Sequence, residues 1–450
     1  MGKRFILLAV LLVFAVAPLK GADAGEIDVL VNKLVEKGVL TPYEAQILLA
    51  DAKEEAAKEL AAGKAVTAPS WTQKIKMKGD VRFRTQTGWY KGLGPAHERI
   101  RNRVRARIGV EGEVNDQVKA GVRLVTGGND PRSTNQTLEH TFESFDCRLD
   151  MYYINWHPEL PKNMGSGDLW LGKFKNRLNK SEVLWDGDIN PDGILAQYDS
   201  STFELGEVPT ELYGNFGFFW LEEITRSQHD PVMYVMQGGL RMDINSDWDA
   251  KLDLSAAYYD LAHMKSNPNY RSTGNSPDFS AGTNTTWTID GVANQWRYDY
   301  NLVDVMIRYD AKKFFDFEMG HGIWSDMIWN VASGVSSDDF GFEVGAYLGK
   351  KKPKKPGQWK IWGLYRYIER DAVPDTLPDS DFFGFTQRGV PAGGGTNGQG
   401  FNGGIQYALF KNTVLALEYY YVTPIDINSS LTNEYDQAAQ LLQMDVKVKF

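Results

Sequence analysis

The chain has 450 residues, 42% hydrophobic and 24% charged, with a formal net charge of −9. That balance excludes a wholly disordered chain and argues against a general nucleic-acid binder. The single cysteine, Cys147, excludes an internal disulfide and a Cys-rich metal site, and the six scattered histidines form no metal-ligand spacing.

Residues 1–24 read as a signal peptide: Lys3 and Arg4, the apolar run Phe5 to Val16, then Ala22-Asp23-Ala24 as a small-x-small cleavage site. The alternative is an N-terminal anchor, for which the run is short. Cleavage after Ala24 leaves 46 basic and 57 acidic residues of the original 49 and 58, a mature charge of −11. Residues 25–70 are expected to form a periplasmic helical hairpin or coiled-coil segment with its linker. Val29, Leu30, Leu34, Val35 and Leu40 recur at helical spacing, and Gly38 is a C-cap. Thr41-Pro42-Tyr43-Glu44 matches a capping box with Pro at the first helical position.

After Trp71 the period changes from about 3.6 to 2. Ile75, Met77, Val81 and Phe83 alternate with Lys76, Lys78, Asp80, Arg82 and Arg84. Ile100, Val104, Ala106, Ile108 and Val110 alternate with Arg99, Arg101, Arg103, Arg105 and Arg107. Val118, Ala120, Val122 and Leu124 flank Lys119 and Arg123 in the same way. No other segment approaches 18 consecutive apolar residues, so only a closed barrel would let the mature chain span a membrane. Sixteen strands are expected, near 74–87, 99–114, 118–126, 146–157, 168–176, 193–199, 211–222, 232–243, 248–261, 299–310, 313–325, 339–350, 358–369, 399–409, 412–423 and 439–450. Several links after even-numbered strands are short, while those after odd-numbered strands are mostly long and polar: 127–145, 177–192, 262–298, 326–338, 370–398 and 424–438. The fold class is therefore all-β, a transmembrane antiparallel barrel over 71–450 with an outward-facing apolar band and aromatic girdles.

The final strand alternates Leu442, Met444, Val446, Val448 and Phe450 with Gln443, Asp445, Lys447 and Lys449. A chain ending in Phe450 resembles the C-terminal signal read by the bacterial barrel-assembly machinery. With Leu30 to Glu44, the Arg-alternating early strand, Leu171-Gly172-Lys173-Phe174 and Trp185-Asp186-Gly187-Asp188, the whole mature chain resembles the bacterial outer-membrane "putative porin" families related to the phosphate-selective porins. That resemblance implies an outer-membrane channel, often a homotrimer, passing small hydrophilic solutes or anions, with the N-terminus periplasmic and lipid around the barrel. It does not imply phosphate transport here.

A charge on the lipid face near the midplane costs about 2–4 kcal/mol. Lys76, Lys78, Arg82, Arg84, Arg99, Arg101, Arg103, Arg105, Arg107, Lys119 and Arg123 should therefore point inward, as a basic pore wall. One reading is an anion ladder with rungs about 7 Å apart. The other is pairing with lumen carboxylates, for which Asp146, Asp150, Asp249, Asp253, Asp304, Asp316, Glu318, Glu343, Glu369 and Glu418 are candidates. Loops 127–145 and 177–192 are candidate constrictions. Asp371, Asp375, Asp379 and Asp381 form either a calcium loop or a solvated acidic loop. No cofactor, metal site or catalytic residue is expected: Gly-x-Ser-x-Gly and phosphate-cradling loops are lacking, and alternation scatters His321, Ser325 and Asp326 over both faces. A scaffold barrel housing an electron-transfer or other partner, and a structural or adhesive barrel acting through its loops, are the competing functions.

Overall fold

The computed structural model describes Val35, Thr41 and residues 43–50, 74–90, 98–161, 163–224, 229–265, 267, 282–289, 292–314, 317–427 and 438–450. The expected signal peptide, most of the expected helical segment and Asp316 lie outside the described residues. The chain divides into two compact units, Met1–Lys74 and Ile75–Phe450. Within the first, residues 43–50 are helical, and the capping box is formed: Thr41 N donates to Glu44 Oε2 at 2.8 Å, and Glu44 N to Thr41 Oγ1 at 3.3 Å.

The second unit is a closed barrel of sixteen antiparallel strands. They are β1 (Ile75–Trp89), β2 (Glu98–Glu113), β3 (Val118–Val125), β4 (Arg148–Trp156), β5 (Ser166–Lys173), β6 (Asp192–Asp199), β7 (Val208–Trp220), β8 (Val232–Asn245), β9 (Ala250–Ala262), β10 (Tyr300–Ala311), β11 (His321–Asn330), β12 (Phe340–Gly349), β13 (Trp359–Ile368), β14 (Gly398–Phe410), β15 (Thr413–Pro424) and β16 (Ala439–Lys449). Each pairs with its neighbour, and β16 closes on β1 from Asp80↔Lys449 to Trp89↔Gln440. The seam ends on Phe450, whose backbone exchanges hydrogen bonds with Gly79 at 2.9 and 3.0 Å. A Cβ at residue 79 would lie 2.4 Å from the Phe450 ring, so glycine makes room for the terminal aromatic.

Alternation decides which side chains meet lipid. Met77, Val81 and Phe83 of β1 are exposed on the outer wall, while Asp80, Arg82, Arg84 and Gln86 are buried within. Aromatics gather at one rim: Trp329, Phe340, Phe342, Tyr365 and Phe401 follow one another across β11–β14 with ring centroids 5.0–5.9 Å apart. Links 114–117, 246–249 and 411–412 are short at one end, whereas 126–147, 174–191, 263–299 and 369–397 are long at the other. The expected strand 313–325 is corrected. Phe314 and Phe317 bond each other's backbones at 3.0 and 3.1 Å in an isolated bridge, and the strand runs instead from His321 to Asn330. Asp326, expected at the start of link 326–338, is a buried inward-facing strand residue.

Candidate functional site

One side of the lumen is not polar. Phe219 on β7, Met233 and Val235 on β8, Tyr259 and Leu261 on β9, Leu302 on β10 and Ile328 on β11 face inward and are buried. An apolar inner wall must be covered, and loop 174–191 covers it. Phe174, Val183, Leu184 and Trp185 of that loop are at most 2% exposed. The Trp185 ring lies 6.4 Å from Phe219 and 6.3 Å from Tyr259. Polar bonds fix the register: Asn179 N donates to Gln237 Oε1 at 2.9 Å, and its amide donates to Tyr213, Asp253 and Ser255, each at 3.1 Å. The loop thus crosses from β5 to the wall of β7–β10.

Two more loops join it. In loop 369–397, Ser380 N donates to Asp186 Oδ2 at 2.8 Å and its hydroxyl to Arg132 O at 3.2 Å, linking loops 126–147, 174–191 and 369–397. Near the long-loop end, Thr285 donates through its N and Oγ1 to Asp371 at 2.8 and 2.6 Å, and the Asn284 amide bonds Arg370 O and Val373 O at 2.6 and 2.9 Å. Asp371, Asp375 and Asp379 are buried and, with Asp381, serve separate partners: Thr285, Thr283, Arg366 and Arg84. The four form neither a calcium loop nor a solvated one, and no metal-holding group of three or more occurs among the described residues.

The basic side chains lie along the opposite wall. Lys76 and Lys78 pair with Glu113 and Glu111 at 2.7 and 3.7 Å. Arg82 bonds Asn135 and lies 3.6 Å from Asp445; Arg84 holds Asp445 at 2.7 Å and Asp381 at 3.0 Å. Arg105 and Arg107 hold Asp80 at 2.9 and 2.7 Å and Asp188 at 3.7 and 3.5 Å. Arg123 pairs with Asp150. Arg103 bonds Ser133 and Asn135 O, both at 3.3 Å, while Arg99 is exposed and Lys119 half-buried. Arg101 lies against the Gln86 amide.

Of the carboxylates expected opposite this wall, Asp150 alone reaches it among the described residues; Glu343 pairs instead with Arg366, at 2.7 Å. The partners that sequence reasoning missed are Asp80 and Asp445 on the wall itself, and Asp188 and Asp381 on the inward loops. Parity along β1 and β16 already put Asp80 and Asp445 on the lumen face; the loop carboxylates carry no such signal. Burial pushes the Asp188 carboxyl up, but Arg105, Arg107 and Arg82 outweigh it and hold it below the ordinary carboxylate range. Asp381 is likewise held low, burial being outweighed chiefly by Arg84. At the short-turn end a cavity of about 590 Å³ is lined by Lys251, Asp310, Tyr347 and the lysines of turn 350–358. The arrangement sets a charged wall opposite a docked loop.

A family model described as "Putative porin" matches residues 93–295 and 278–450. No curated protein sequence matches the chain. Solved structures of similar fold include OprB of Pseudomonas putida (10% identity, 84% of this chain and 95% of that one, TM-score 0.49). Others are the DcaP outer membrane channel of Acinetobacter baumannii (12%, 84% and 97%, TM-score 0.42) and Salmonella typhi OmpF (13%, 84% and 97%, TM-score 0.43).

Proposed function

The chain belongs to the "Putative porin" family, and on that basis we propose that it is an outer-membrane channel through which small hydrophilic solutes diffuse passively along a basic wall that favours anions. The observation that carries the anion preference is the charge on β16, β1 and β2. Arg82, Arg84, Arg103, Arg105, Arg107, Lys447 and Lys449 share the inner face with Asp80 and Asp445, and among the described residues the loops bring Asp188 and Asp381 into ion pairs with them. A positive wall whose cations outnumber its carboxylates lowers the barrier for anions and raises it for cations. The docked loop 174–191 already occupies one side of the lumen, which speaks against a barrel built to house a partner protein.

The reading extends to the rest of the molecule. Residues 1–24 are removed on export, residues 25–70 stand in the periplasm, Phe450 is read by the barrel-assembly machinery, and the lipid-embedded barrel assembles as a homotrimer. The test is reconstitution of the mature protein in planar bilayers under a tenfold KCl gradient. Steady conductance with a reversal potential of the anion sign supports the proposal. A cation-sign potential overturns the anion preference, and no conductance overturns the channel.

A further inference from the structure

The barrel seam contains a row of like charges. Arg82 stands directly opposite Lys447 on β16 and Arg105 on β2. The rows on either side each hold a carboxylate: Lys449, Asp80 and Arg107 alternate in sign, and in Asp445, Arg84 and Arg103 the carboxylate pairs Arg84 while Arg84 faces Arg103. Like charges facing one another across strands about 5 Å apart are destabilising, so the central row needs compensation from elsewhere.

The protein supplies only part of it. Asp445, Asp80 and Asp188 touch the row from its edges, and each is shared with a further arginine: Arg84 at 2.7 Å, Arg107 at 2.7 Å and Arg107 at 3.5 Å. With Asp381 on Arg84, four carboxylates lie within ion-pair distance of the seven cations in the three rows among the described residues, three fewer than the cations. Lys447 has no carboxylate within ion-pair distance among the described residues. The Nε of Arg82, on a side chain 7% exposed, has no hydrogen-bond partner. A desolvated cation lacking a counter-ion is costly.

We propose that the Lys447–Arg82–Arg105 row is a discrete binding site for one small oxyanion of sulfate or phosphate size. The site rests on the channel reading and adds to it a solute class and a location. Its donors are the Lys447 ammonium and the unpartnered Arg82 Nε–H, with Arg105 supplying charge. Its size limit follows from what covers the row: Asn135 caps Arg82 and Asp188 lies beside Arg105, leaving the half-buried Lys447 side as the entrance. A guanidinium offers paired N–H groups that suit an oxyanion.

The probe is inorganic sulfate. In the wild type it should block chloride current in bilayers and raise the Tm of the folded barrel in detergent. Lys447→Met should raise the half-blocking concentration at least tenfold and abolish the sulfate-dependent Tm shift, whereas Lys447→Arg should retain both. Heat-shifted gel mobility establishes that each variant is folded. Equal sulfate sensitivity in wild type and K447M, or no Tm shift in the wild type, overturns the site while an anion-sign reversal potential leaves the channel standing. A Tm shift lost in K447M alongside a wild type that does not conduct upholds the site and overturns the channel.

Discussion

Replacing Asp188 by Asn removes one of the four carboxylates facing the basic wall. Asp188 lies 3.5 Å from Arg107 and 3.7 Å from Arg105, and both arginines keep Asp80 at 2.7 and 2.9 Å, so the variant should fold. A unit charge acting on an ion about 7 Å away is worth about 0.6 kcal/mol at the dielectric of water, and about 2 kcal/mol at an effective constant of 20. The same change draws anions and repels cations, so even the weaker figure raises the anion-to-cation permeability ratio roughly sevenfold. Screening over about 10 Å at 0.1 M salt reduces that, so at least a twofold rise is expected. The assay is the reversal potential in a tenfold KCl gradient with 0.1 M on the dilute side. An unchanged potential, or one moved toward cations, in a barrel with normal heat-shifted mobility would refute the placement of Asp188 beside the ion path.

Trp185→Ala should loosen the plug. Truncating a buried Trp costs about 3–5 kcal/mol, and here the loss falls on the docking of loop 174–191 and leaves the strand ladders intact. Single-channel records should become noisier with larger conductance while the barrel Tm changes little; an unchanged record would show that the loop does not bound the path. The loop contacts should also respond to pH in opposite directions. Burial pushes Asp371, which is 1% exposed, up to about 6. Its folded form therefore favours the proton, and that contribution is complete below about pH 4 and lost as pH rises through 6, a change of roughly 3 kcal/mol. Limited proteolysis of loops 263–299 and 369–397 should be slower at pH 4.5 than at 7.5, and Asp371→Asn should flatten the difference; equal pH dependence in both proteins would rule Asp371 out as its source. Asp188 and Asp381 are held low, so their lock on the wall is present above the ordinary carboxylate range and lost as pH falls through their lowered values. Acidification below the ordinary carboxylate range should change the conductance of the wild type and change it less in Asp188→Asn; the same acid response in both proteins would contradict this.

Strand number and lumen parity were legible because lipid enforces a period of two wherever polar groups line the other face, as in β1 and β2. The rule misled where two aromatics form an isolated bridge, at Phe314 and Phe317, and near a strand end, at Asp326, expected as the start of a link. The plug had a signal that was passed over. Val183, Leu184 and Trp185 form an apolar run inside a polar loop, and β7 to β10 are apolar on both faces, as Phe218 with Phe219 and Tyr258 with Tyr259 illustrate. A strand facing lipid outside and apolar inside requires something to cover its inner face. The carboxylates were legible in part. Asp80 meets Arg105 and Arg107 within the β1–β2 pair, Asp445 becomes a partner of the basic wall only once the last strand is closed on the first, and Asp188 and Asp381 arrive on loops whose paths no local pattern encodes.

The charge arrangement at the seam follows from two opposed requirements. Were every arginine paired, as Arg366 is with Glu343, Asp379 and Glu182 at 2.7–3.4 Å, the wall would be fixed but would exert little field on a passing ion. Were none paired, rows of guanidinium groups at strand spacing would repel one another and weaken the closure on which the barrel depends. The alternating row at Asp80 and the Asp445–Arg84 pair in the other neighbouring row go toward the second requirement. The unalternated row at Arg82 departs from it at the level where Asn135 and Asp188 crowd the wall, so the local cost in stability coincides with the place where a solute meets the protein most closely. A row of three cations between two rows that each hold a carboxylate is what a functional constraint produces. Neutralising Lys447 should therefore make the barrel more stable in sulfate-free buffer, by a fraction of the roughly 1 kcal/mol that a cross-strand pair is worth. A K447M barrel less stable than wild type under those conditions would mean that the lysine serves the fold rather than the path.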